Sequence, residues 1–199
     1  MAKNKLSGGW IALIVIVVLV LIIGGWIAGS YNGLVSSQEG VDAKWANVQS
    51  AYQRRADLIP NLVATVQGMK NFEQDTLTQI TQLRSEAGQA KINVDGATSP
   101  AQLQSAMGSM DSVLSRLLVV VEKYPDLKSG ENFLSLQDEL AGTENRIKVE
   151  RDIYNAAVKT YNVNVRRFPT NIIASMFGFD KRTMFEADSG SENAPKVAF

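Results

Sequence analysis

The residues able to do chemistry in this chain are charged side chains that fall on otherwise apolar helical faces. Arg54 and Arg55 stand close to Asp57, the run Thr143-Glu144-Asn145-Arg146 interrupts an apolar pattern, and Glu150, Arg151 and Asn155 follow within the next few turns. An unpaired charge on a packed face costs several kcal/mol, so Arg55, Asp57, Glu144 and Arg151 are expected to form a buried polar network. Its ordinary role is structural, with ion pairs setting helix register. Its chemical alternative is a carboxylate site, in which burial raises the pKa of Glu144 and makes it an acid or base. The chain has no His and no Cys. That excludes a thiol nucleophile, a Ser-His triad and an ordinary zinc site. No catalytic, cofactor-binding or metal-binding residue is assigned, and no enzyme activity is expected.

The elements that must position these charges begin with a membrane anchor. A charge-free run of 33 residues, Leu6 to Gln38, contains an apolar core from Trp10 to Ala28. About 20 apolar residues cross the ~30 Å hydrocarbon layer as a helix. Trp10, Trp26 and Tyr31 suit the two interfacial aromatic belts. The apolar stretch is longer than the roughly 7 to 15 residues of a signal-peptide core, so the anchor is expected to stay uncleaved. Lys3 and Lys5 precede the helix and only Lys44 follows closely, which places the main domain outside the cell membrane by the positive-inside rule. Beyond those two lysines, 18 basic residues face 20 acidic ones. That balance argues against nucleic acid as a partner.

Helical periodicity governs the rest. Val41, Trp45, Val48, Tyr52, Ala56, Ile59, Val63 and Val66 draw one stripe at the 3.6-residue period, continuing through Leu77 and Ile80. The unbroken phase predicts one helix from Tyr31 to about Ala87, kinked at Pro60, with a tight reversal at Ile59-Pro60 as the alternative. Gly88 to Pro100 reads as a loop. Ser99 then caps a second helix with Pro100 in its first turn, striped by Leu103, Met107, Met110, Leu114, Leu117 or Leu118, and Val121. A third helix, Glu131 to about Arg167, repeats Phe133, Leu140, Ile147, Tyr154, Tyr161 and Phe168 every seven residues. That repeat signals long coiled-coil-like packing at a shallow angle.

Pro169 ends the third helix, and Thr170 is the expected cap of a short apolar segment closed by Gly178. Ile173, Met176 and Phe177 of that segment are candidate protein-contact residues. The tail from 187 to 199 reads as disordered. Within the anchor, Gly25-Trp-Ile-Ala-Gly29 matches the small-residue spacing that lets two helices approach in lipid, so Gly25 and Gly29 are candidate packing positions for a homo-oligomer.

Several ordered motifs together resemble the LemA family. They are Arg55-Ala-Asp57-Leu-Ile-Pro60-Asn61-Leu-Val63 with Val66, Gly68 and Glu73, then Tyr124-Pro125, Asn132-Phe133 and Thr143-Glu144-Asn145-Arg146-Ile147, then Arg151, Tyr154-Asn155, Tyr161-Asn162 and Phe168-Pro169. The resemblance runs from about Tyr31 to Phe185. It implies a bacterial membrane-anchored protein of all-α class, with an N-terminal transmembrane helix followed by an up-and-down, bromodomain-like bundle of long helices. It implies no catalytic residue. Many relatives carry His where this chain has Phe72, so any chemistry done by that His is absent here.

Four segments are therefore expected: a tail at 1–9, an anchor at 10–28, a bundle domain at 31–186, and the tail after it. The functional expectation is a scaffold or interaction protein of the bacterial envelope, single-pass in the cell membrane. Its partners would be the lipid bilayer, a second copy of itself and other envelope proteins, and it would carry no cofactor. The rivals are a carboxylate-based envelope enzyme and a binding module using a groove between helices. A main domain on the cytoplasmic side is the alternative topology.

Overall fold

Residues 8–68, 72–125 and 130–186 are described by a computed structural model, and among them there are five helices and no strand. The helices are α1 (Gly8–Gln67), α2 (Gln74–Asp95), α3 (Pro100–Glu122), α4 (Glu131–Arg166) and α5 (Thr170–Phe177). The expected disordered tail at 187–199 lies outside the described residues. So do most of the short N-terminal tail and part of the α3–α4 connection. The chain divides into two compact units: Met1–Asp42 with Ala157–Arg182, and Ala43–Ala156 with Thr183–Phe199.

The second unit is an up-and-down bundle, and its side-chain contacts give the directions. Gln67 at the end of α1 bonds Thr81 and Arg84 in α2, whereas Asp57 pairs with Lys91 and Gln49 reaches the carbonyl of Ala97. Later residues of one helix meet earlier residues of the other, so α1 and α2 are antiparallel. The pairs Thr76 with Tyr124 and Glu86 with Arg116 make α2 and α3 antiparallel. Arg54 with Glu139 and Trp45 with Tyr154 do the same for α1 and α4. Leu103, Met107, Met110, Val113 and Leu117 of α3 are buried, together with Phe133, Leu140, Ile147 and Tyr154 of α4.

α1 continues unbroken through Pro60, so no reversal occurs there. The expected helix to Ala87 is nevertheless divided: α1 ends at Gln67 before Gly68, and α2 starts at Gln74. Leu77 is exposed, although the stripe had included it. The loop expected from Gly88 is also corrected, because α2 runs on to Asp95. Ile80, Leu83, Ala87, Ala90 and Val94 bury one face at three- and four-residue steps, and that burial outweighs the weak helix propensity of Gly88 and Asn93. Ser99 caps α3 as expected, its hydroxyl accepting from the amide of Gln102. In α3, Leu114 is only half-buried while Ala106 and Val113 are buried.

The first unit carries the apolar stretch. Residues 9 to 26 are all exposed, and α1 is long and apolar enough to cross a membrane. In α4, Val158 and Tyr161 are buried. Phe168, the last of the heptad series, lies beyond the helix end and is 76% exposed. Thr170 is the first residue of α5 and not its cap, which is Pro169. Gly178 closes α5 with φ at 73°, a left-handed conformation that glycine adopts without a Cβ clash.

Candidate functional site

Arg55 sits at the centre of the charged groups in the bundle. Its place on α1, one position before buried Ala56, turns the guanidinium toward α3 and α4. The side chain is 12% exposed; Nη2 donates to Asp111 Oδ1 at 2.7 Å, and Nη1 pairs with Glu144. Its Nε is buried without a hydrogen-bond partner. One cation therefore joins three helices. A shallow cleft of about 180 Å³ surrounds the group, lined by Tyr52, Gln104, Met107, Ile147 and Arg151 among others.

The four charges singled out in the sequence do not form one buried network. Arg55, Glu144 and Arg151 share the cleft, but Asp57 pairs with Lys91 at 2.7 Å. Arg55 and Arg151 are partly buried, whereas Glu144 is 60% exposed and Asp57 more than half exposed. The hydrogen bond to Asp57, and then that to Asp95, raises the pKa of Lys91 above its ordinary value. Arg151 turns to residues 185 and 186, donating to the carbonyl of Glu186 at 2.8 Å with its guanidinium 5.1 Å from the Phe185 ring centre. Asp111 was the missed member of the set. It stands in a polar stretch of α3, and no periodicity marks which carboxylate will face Arg55.

A second arrangement escaped sequence reasoning altogether. Residues 183–186 run beside α4 as a strap without regular secondary structure. Phe185 is buried beside Trp45, Tyr52 and Tyr154. Asn155 holds its backbone at both ends, accepting from its amide at 2.9 Å and donating to its carbonyl at 3.1 Å. Tyr154 donates to the carbonyl of Thr183. In the first unit, Asn162 grips the amide and carbonyl of Arg182 in the same way, each at 2.9 Å. The recurrence of Tyr-Asn at 154–155 and 161–162 was the available signal.

Of the three candidate contact residues in α5, Ile173 is not on the surface. It is 2% exposed, packed with Leu34 and Ala174 and bordered by Ile27, Val165 and Phe179. The apolar face is broader than one contact surface, and its Ile173 side closes on the chain itself. Met176 and Phe177 remain exposed, with Phe177 edge-on to Tyr31 at 4.9 Å. Space is open beside Gly25 and Gly29, where an added Cβ would meet nothing within 4 Å. Phe72 packs edge-on against Tyr124. Among the described residues no group of three acidic, His or Cys side chains is placed to hold a metal ion.

The profile of the LemA family matches residues 44–199. Protein LemA of Metamycoplasma hominis is 31% identical, over 80% of this chain and 70% of its own length. Magnetosome protein MamQ 2 of Paramagnetospirillum magneticum is also 31% identical, over 78% of this chain. Magnetosome protein MamQ of Magnetospirillum gryphiswaldense is 29% identical over the same share. Each match covers 64% of those magnetosome proteins, so this chain corresponds to rather less than two thirds of their length. With most of its length matched by the family profile and an apolar helix ahead of an up-and-down bundle, this membrane-anchored helical protein belongs to the LemA family.

Proposed function

We propose that the protein is a membrane-tethered scaffold that works by contact with other proteins, in the first place with further copies of itself, and that it catalyses no reaction. The observation that carries this reading is the state of Arg55. Arg55, only 12% exposed, is committed to Asp111 and Glu144 on two other helices. The cleft beside it, about 180 Å³, is smaller than the roughly 300 to 1,000 Å³ of ordinary small-molecule sites. These charges hold helices together, and the surface is left to do the work. Two surface features favour self-association. Gly25 and Gly29 present a smooth face of the apolar helix with open space beside it, as close helix pairing in lipid needs. Leu118, Val119 and Leu134 are exposed apolar side chains of α3 and α4.

The bundle is proposed to lie outside the bacterial cell membrane, on the strength of Lys3 and Lys5 before the anchor. Mass measurement of the intact protein in mild detergent tests assembly. A particle several times the 21.7 kDa chain is expected, and its mass should fall when Gly25→Leu and Gly29→Leu are introduced together. A strictly monomeric particle would overturn self-assembly. Protease added to spheroplasts tests the side: the bundle should be degraded without lysis, and protection until lysis would place it in the cytoplasm.

A further inference from the structure

We infer that α5 is an interfacial helix, its outer apolar face resting in the headgroup layer of the same bilayer that holds the anchor. The first observation is depth. The cluster that seats α5 contains Leu34, Ile173 and Ala174, and Ile27 borders it. Ile27 belongs to the last turn of the apolar stretch, and it is the first residue after Gly9 that is partly buried, the residues from 9 to 26 all being exposed. Phe177 and Phe179 meet Tyr31, with ring centres 4.9 Å and 5.6 Å away. At about 1.5 Å per residue, Tyr31 stands about 4.5 Å and Leu34 about 9 Å beyond Ala28. The polar layer of a bilayer adds about 5 to 8 Å on each side of its hydrocarbon core. By these lengths Ile27 and Tyr31 hold one side of α5 at headgroup depth, and Leu34 stands at the outer edge of that layer.

The second observation is the face left uncovered. Ile173 and Ala174 point into the chain, whereas Ile172 and Met176, one turn apart, remain exposed, Met176 by 68%. Phe177 and the preceding Phe168 are exposed too. Water is a poor neighbour for several large apolar side chains exposed on and beside one short helix. Lipid, already in contact with residues 10–28, is the neighbour at that depth. The third observation is charge. Arg166 and Arg167 precede α5, and Lys181 and Arg182 follow it; Arg182 is paired with Asp42, which leaves Arg166, Arg167 and Lys181 against Asp180. Basic residues flanking an apolar face are what anionic headgroups attract. The proposal does not depend on the scaffold reading, since lipid contact of α5 is compatible with any activity of the bundle.

The absence of Cys in the chain allows single labels. Met176→Cys, Ile172→Cys and, as a control on the exposed face of α4, Lys148→Cys would each carry an environment-sensitive fluorophore. The full-length protein would be placed in phosphatidylcholine vesicles containing about a quarter phosphatidylglycerol. Lipids spin-labelled in the headgroup or high on the acyl chain serve as quenchers. The labels at 172 and 176 should lose about half of their emission or more, while the label at 148 stays bright. Because both replaced side chains are exposed and Ile173 remains, thermal unfolding should match that of the parent and show that the seat is intact. Emission at 172 and 176 as insensitive to the quenchers as at 148 would overturn the proposal. Labels shielded from water yet untouched by lipid quenchers would overturn it in favour of a covering protein.

Discussion

Asn155 binds the backbone of Phe185 through both of its amide atoms, and the ring of Phe185 fills the space between Trp45, Tyr52 and Tyr154. A strap of otherwise irregular backbone thereby acquires the hydrogen bonds that a helix or sheet would have supplied.

The strap should respond to each partner differently. Asn155→Ala removes two partly buried hydrogen bonds at about 1 kcal/mol each, so unfolding of the full-length protein in detergent should shift by about 2 kcal/mol. Phe185→Ala empties an aromatic site and should cost about 3 to 5 kcal/mol. A Phe185→Ala variant as stable as the parent would mean that the strap is not part of the core.

The three-way ion pair predicts non-additive losses. Asp111→Asn or Glu144→Gln alone leaves Arg55 with one carboxylate, and both carboxylates are about half exposed, so each should cost about 1 kcal/mol or less. Removing both leaves the guanidinium largely buried and unpaired, which should cost about 3 to 5 kcal/mol. Denaturant titration of the two single variants and the double variant measures the coupling. Simple additivity would show that Arg55 does not depend on this pair.

The buried face of α4 is checked by neighbours. Ile147 is buried and Lys148 exposed. Ile147→Ala should lower stability by about 2 to 5 kcal/mol, and Lys148→Ala by less than about 0.5 kcal/mol. Equal shifts in thermal midpoint would contradict the orientation of this helix.

Alkaline pH should weaken the fold. The pKa of Lys91 is raised above 10.5 by its hydrogen bonds to Asp57 and Asp95, and burial raises that of Tyr161 above 10.0. A folded-state pKa above the unfolded one means that the contribution is whole below the unfolded value. It is lost as pH rises through the folded one. On account of these groups, urea midpoints should hold up to about pH 9 and fall beyond about pH 10. Tyr161→Phe should make the fall shallower. Lys91 is about one-third exposed, with solvent screening its pairs, so Lys91→Met should matter less.

Much of this protein is decided by patterns that are local in the chain. The apolar length of residues 10–28, the cap Ser99-Pro100, the stop at Gly178 and the heptad from Phe133 to Tyr161 each act through nearby backbone or a fixed helical period. These determined the anchor, the helices and the all-α class. The boundaries at Gln67 and Asp95 were less legible, because a periodic stripe can run on across a break, and burial of Ala90 and Val94 can hold a helix where composition suggests a loop. What only the tertiary structure decided are the partners. Arg55 could have met any nearby carboxylate, and packing brought Asp111 and Glu144 to it while sending Asp57 to Lys91. Phe185 and Ile173 looked like surplus apolar residues late in the chain, and whether they faced solvent or core depended on α1, more than a hundred residues earlier, and for Phe185 on α4 as well. Ion pairs and hydrophobic contacts depend on separation in space and not along the chain, so the periodicity that reveals a helix face does not reveal what it meets.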